Sequence, residues 1–124
     1  MATVVKVTAT GRGIISNRIK GAGTEPVNIS WGTGTTAPVD GNTDLEVAAA
    51  ESAAVGVSSI ATTTTADDTY RVIGTLTSAS TQTISEAVLK NTAGTLFLRG
   101  TFTGIAVDSG DSIQFTMEAQ GQAV

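Results

Sequence analysis

The chain has 124 residues and a formal net charge of −4; hydrophobic residues make up 40% of it, aromatics 4% and charged residues 15%. It holds no cysteine and no histidine, which removes disulfides, thiolate or imidazole metal sites, and every nucleophile–base pair built on either residue. The length suits one domain, spanning 1–124, and the acidic balance argues against free nucleic acid as a partner.

The first twenty positions carry four basic residues, Lys6, Arg12, Arg18 and Lys20, and no acidic one; the remainder has three basic and eleven acidic residues, a net −8. Residues 1–20 therefore read either as a solvated basic edge strand with its loop or as an N-terminal arm that docks on an acidic partner or a neighbouring copy. Within them, Val4 to Thr8 alternates and is β-branched, which predicts a first strand closed by Gly11 and Gly13. Ile14 to Lys20 fits one short helical turn or a strand. No apolar run has the length of a signal-peptide core or a membrane span, so synthesis as a soluble cytoplasmic product is expected.

Val27, Ile29 and Trp31 alternate with Asn28 and Ser30, predicting a half-buried strand with the single tryptophan turned to the core. Gly32 to Asn42 is loop by composition. Leu45 to Ala54, with five alanines and Asp44 as a cap, is the one helix-friendly stretch. Val55 to Thr65 reads as a strand at a sheet edge.

Asp67-Asp68 predicts a turn, after which Tyr70, Val72 and Leu76 oppose Arg71, Ile73 and Thr75. Thr83 to Lys90 is a further β segment, and Asn91 to Gly94 a hairpin turn. Leu96, Leu98 and Phe102 share a face against Arg99 and Thr101. A turn at Asp108 to Asp111 leads into Ile113, Phe115 and Met117, which alternate with Gln114, Thr116 and Glu118. The expected fold class is all-β: an antiparallel two-sheet β-sandwich, Ig-like or jelly-roll-like, with one short helix.

Several local patterns have plainer explanations than the chemistry they suggest. Gly32-Thr33-Gly34-Thr35-Thr36-Ala37 matches a dinucleotide-binding spacing, but Pro38 follows where a helix should open. Asp40, Asn42, Asp44 and Glu51 fall on calcium-loop positions, yet Leu45 occupies the place that needs glycine. Asn28-Ile29-Ser30 is a glycosylation acceptor without a signal peptide. Asp67-Asp68 and Asp108 with Asp111 are turn-forming acids flanked by Thr, Ser and Gly. No catalytic, cofactor or metal residues are assigned, and no enzymatic activity is expected.

Asn17-Arg18-Ile19-Lys20-Gly21, Gly23-Thr24-Glu25-Pro26 and Trp31-Gly32-Thr33-Gly34-Thr35-Thr36-Ala37-Pro38 resemble segments of a group of small tailed-bacteriophage virion structural proteins. Further counterparts are Asn42-Thr43-Asp44-Leu45-Glu46, Thr69-Tyr70-Arg71-Val72, Ile84-Ser85-Glu86-Ala87-Val88-Leu89 and Gly110-Asp111-Ser112-Ile113-Gln114-Phe115-Thr116. Val88 stands where the group has glycine, and Lys90 where it has an aromatic. The resemblance covers about residues 14–118 and implies a head decoration (cement) protein on the outer capsid surface, or else a tail or fibre component that meets the host surface or a glycan. Under the first reading the partners are the major capsid protein and copies of the chain itself, the location is the virion, and Lys6, Arg12, Arg18 and Lys20 are the expected docking residues. A small carbohydrate-binding sandwich is a third reading, from a different class.

Overall fold

The structure is a computed structural model that describes residues 3–121; residues 1, 2 and 122–124, the ends of the expected domain, lie outside the described residues. In chain order the elements are β1 (Thr3–Val7), α1 (Ala9–Lys20), β2 (Pro26–Gly32), β3 (Ala54–Val55), β4 (Val57–Ala61), β5 (Thr69–Thr77), β6 (Gln82–Asn91), β7 (Leu96–Val107) and β8 (Ser112–Gln120). Two antiparallel sheets pack face to face, one of five strands ordered β1-β7-β6-β2-β3 and one of three ordered β4-β5-β8. This is the two-sheet β-sandwich that the period-two alternation predicts.

The core lies between the sheets. Ile29, Trp31, Ala87, Leu89 and Leu98 from the larger sheet meet Val72, Leu76 and Met117 from the smaller one. Phe115 presents its ring to the edge of Trp31 at 6.3 Å between centroids and stands 6.2 Å from Phe102, so few aromatics suffice to fill the centre. The predicted turns form as read. Asn91 accepts the Gly94 amide on its carbonyl and the Thr95 amide on its side chain, with Gly94 at φ 87°; the 108–111 turn closes through Asp111 N–H to Asp108 C=O.

Three expectations are corrected. The first concerns residues 9–20, where Gly11 and Gly13 are expected to close the first strand; of the two alternatives for Ile14 to Lys20 the helical one forms, and it begins earlier, at Ala9. A twelve-residue helix stands there instead, N-capped by Thr8, whose hydroxyl accepts the Gly11 amide, and ended by Gly21 at φ 85°, whose N–H reaches the Arg18 carbonyl. The helix-breaking tendency of Gly11 is overridden by packing. A Cβ there would sit 2.0 Å from the Phe97 carbonyl oxygen, so only glycine lets α1 lie this close to β7.

The second concerns residues 45–54, which form no helix. Val47 C=O accepts the Thr33 amide and Ala49 N–H donates to Trp31 C=O, so the segment runs extended beside the end of β2, and β3 then pairs with Ile29 and Asn28. Backbone groups that a helix would have used internally are claimed by a strand already in place. The segment 55–65 is likewise interrupted. Gly56 carries the chain from the larger sheet to the smaller, and a Cβ there would meet Val72 Cγ1 at 2.4 Å. Of the expected strand, Val55 falls to β3 and Val57–Ala61 to β4, which lies at the edge of its sheet.

The third concerns the polar face of β7. Arg99 and Thr101 do lie opposite the core-facing Leu98, but that face is buried too: Arg99 is 1% exposed and Thr101 8%. Residues 33–50 cross over it. Every residue of β6 from Ile84 to Leu89 is buried for the same reason, which is covering on both sides.

Candidate functional site

Sequence reasoning singles out four basic residues, and the structure separates them. Lys6 lies on edge strand β1, across from Arg99 in register, and is exposed. Arg12, on the first turns of α1, forms a bidentate pair with Asp40, with Nη1 and Nη2 donating at 2.9 and 2.8 Å. This pair, together with the Ala9 amide on the Asp40 carbonyl, ties the crossing segment to the helix start. The guanidinium of Arg12 holds the Asp40 carboxyl below its usual range, and Asp40 raises Arg12 in return. Arg18 donates through Nη1 to Gly23 C=O at 3.1 Å, and it and Lys20 in the last turn complement the negative end of the helix dipole. Among the described residues, Lys6, Arg18 and Lys20 form no direct ion pair, although the Lys6 charge adds to that of Arg12 in lowering the Asp40 carboxyl.

Beneath the crossing segment sits a cluster that sequence reasoning missed. Glu86, fully buried on β6, accepts the Glu46 amide and Arg99 Nε on Oε1 at 2.9 and 3.0 Å, and the Gly34 and Val47 amides on Oε2 at 2.8 Å each. One carboxylate thereby grips both limbs of a loop otherwise poor in apolar anchors. Arg99 also donates to Asn42 Oδ1 at 3.2 Å, and Ser85 donates its hydroxyl to Gly34 C=O at 2.7 Å. Closer to the rim, Glu46 accepts the Thr35 and Thr36 amides, and Glu51 accepts Trp31 Nε1 and Gln82 Nε2, both at 2.8 Å. Those bonds to the charged form keep both carboxyls below their usual range, through Thr36 foremost for Glu46 and Gln82 foremost for Glu51. The available signal was Glu86 itself, a lone acid inside the apolar stretch Ile84 to Leu89.

The residues of the other sequence patterns are occupied elsewhere. Of the calcium-spaced set, Asp40 binds Arg12, Asn42 accepts the Val39 amide and Arg99, Asp44 pairs with Lys90 at 2.6 Å, and Glu51 holds Trp31. No cluster of three metal-ligating side chains occurs among the described residues. The Gly34 amide, which a phosphate would need, already serves Glu86. Asp68 is saturated: it accepts the Thr63, Thr64 and Thr65 amides, the Thr69 hydroxyl and the Gln120 amide group. These bonds, led by those from the Thr65 and Thr63 backbone, draw its carboxyl far below the usual range.

Two depressions mark the surface. One, of about 710 Å³, is lined mainly by Thr33, Thr35, Thr83, Ser85, Phe102 and Thr103 and holds no titratable group. The other, a groove of about 860 Å³, runs between α1 and the turn that joins β4 to β5, over a floor that includes Val7, Ile14, Phe97 and Tyr70. The Tyr70 ring stands edge-on to Phe97 at 6.2 Å between centroids, and its hydroxyl donates to Pro26 C=O and to Glu25. Burial, then the Glu25 carboxylate, raise the Tyr70 phenol above its usual range, so it stays a neutral donor. Comparison of the chain with protein-family models, curated proteins and solved structures finds no match.

Proposed function

We propose that the chain is a structural protein of a tailed-phage virion, a decoration protein that binds the outer surface of the head and stabilises the shell. One observation supports the reading beyond the resemblance itself: segments that resemble the phage group, far apart in sequence, meet in one hydrogen-bonded unit. Gly34 of the Trp31–Pro38 segment, Glu46 of the Asn42–Glu46 segment, and Ser85 and Glu86 of the Ile84–Leu89 segment are joined directly through the Glu86 carboxylate and the Ser85 hydroxyl.

A decoration protein works by adding binding free energy to the assembled shell, many copies each contributing modestly. Lys6 and Lys20 are the foremost docking residues, being exposed and forming no direct ion pair among the described residues. Arg12 and Arg18 contribute less directly, since both already bond within the chain.

The test is co-pelleting with undecorated heads. The wild-type chain is expected to saturate the heads, and Lys6→Glu with Lys20→Glu to reduce occupancy in a salt-dependent way. Occupancy unchanged by the double reversal removes these residues from docking. Gold-labelled antibody that marks tails and leaves heads bare overturns the decoration reading in favour of a tail component.

A further inference from the structure

We infer that the groove between α1 and the β4–β5 turn is a self-association surface, which receives the helix wall of a second copy of this chain about a two-fold axis. Contact between copies is already expected under the virion reading; the groove gives it a place in the fold, on observations that do not depend on that reading.

The two walls of the groove have opposite charge. Helix α1 contributes Arg12 and Arg18 and, in its twelve residues, no carboxylate. The facing wall contributes Asp67 and Asp68 and no base, and the third lining carboxylate, Glu25, already accepts the Tyr70 hydroxyl. Each wall also carries an exposed isoleucine, Ile19 at 82% and Ile60 at 70%, above the partly apolar floor of Tyr70 and Phe97. Exposed β-branched side chains of this size at the two lips of one groove form a patch suited to burial.

Charge complementarity identifies the occupant. A partner of one sign would satisfy one wall and repel the other, whereas a two-fold interface sets residue i against j and j against i. The basic wall of each copy then faces the acidic wall of its mate, and each Ile19 enters the other copy's groove near Ile60. Two groups remain to act across the contact. Among the described residues, Arg12 is held by Asp40, and Asp68 by its own turn and Gln120, whereas Arg18 bonds a carbonyl and no carboxylate, and the Asp67 carboxylate accepts no hydrogen bond.

Sedimentation velocity of the full chain over a micromolar to millimolar series tests this. A monomer–dimer equilibrium is expected, weakened by salt, with Ile19→Asp raising the dissociation constant by about tenfold or more. Ile19 is exposed, so its replacement leaves the fold intact, which circular dichroism checks. Arg18→Gln and Asp67→Asn should each weaken the dimer severalfold, the double variant by less than the product, because they remove the same contact. Asparagine is chosen at position 67 because it tolerates the left-handed φ of 59° there. A chain that stays monomeric throughout overturns the inference, as does a dimer indifferent to Ile19→Asp. Loss of head binding by Ile19→Asp in a monomeric chain also overturns it and assigns the groove to a foreign partner. Failure here leaves the Lys6 and Lys20 pelleting result standing, because neither residue lines the groove.

Discussion

Glu86 and Arg99 meet diagonally across β6 and β7 with Nε to Oε1 at 3.0 Å, and both side chains are essentially sealed from solvent, at 0% and 1% exposure. The pair lies outside the sandwich core, under the crossing segment, and its carboxylate simultaneously holds three backbone amides of that segment. That makes the two residues unequal partners.

Replacing Glu86 by leucine should therefore cost about 3–5 kcal/mol, since it strands a buried guanidinium and three amides together. Arg99→Met should cost less, because the carboxylate keeps its amide donors. The double replacement, often neutral for a simple buried pair, should here remain destabilised, because the amides of Gly34, Glu46 and Val47 still lack an acceptor. Urea unfolding of the three variants checks the order; a neutral double variant contradicts the role given to the amides.

Two glycines in α1 offer a matched comparison. Gly13 has open space where a Cβ would go, so Gly13→Ala should stabilise by up to about 1 kcal/mol through helix propensity. Gly11→Ala places that Cβ against the Phe97 carbonyl and should instead destabilise by about 1–3 kcal/mol or more. Opposite signs in thermal or urea unfolding support the close seating of α1 on β7; two gains refute it.

Trp31 permits an optical readout. Its Nε1–H donates to Glu51 Oε1 at 2.8 Å, while Gln82 and the Ala79 amide converge on the same carboxylate. Glu51→Ala should cost about 1–3 kcal/mol by leaving the indole N–H unpaired, with a shift in tryptophan emission. An unaltered spectrum with unaltered stability would show that the bond contributes nothing.

Acid sensitivity should centre on Asp68. Its folded carboxyl titrates far below the unfolded value of about 3.9, so its contribution is complete above that pH and is lost as pH falls toward the folded value. The urea midpoint of the wild-type chain should thus drop steadily below about pH 4. Asp68→Asn should be less stable at neutral pH and show a shallower acid slope. Parallel slopes for the two proteins would exclude Asp68 as a contributor.

Much of the β framework can be read from alternation, because a strand's side chains point to its two faces in strict turn whatever lies beyond them. Tyr70, Val72 and Leu76 face inward as their spacing predicts, Trp31 enters the core, and the turns at 91–94 and 108–111 form from their own Asn, Asp and Gly residues. These are local properties: dihedral preference and side-chain-to-backbone bonding within a few residues. The sandwich class follows from the same alternation, and the edge position of β4 from the lack of a strong apolar face in residues 55–65.

The amino-acid sequence by itself determined the strands, their inward faces, their tight turns, and the absence of cysteine and histidine chemistry. Only the tertiary structure decided that Gly11 belongs to a helix, that residues 45–54 do not, that Arg99 is buried, and that Glu86 holds the segment above it. Each of those outcomes depends on a partner remote in sequence: Phe97 for Gly11, Thr33 and Trp31 for Val47 and Ala49, Gly34 and Val47 for Glu86. A local preference worth about 1 kcal/mol yields when a distant strand or carboxylate supplies hydrogen bonds and excludes water, and no spacing along the chain records which distant group that will be.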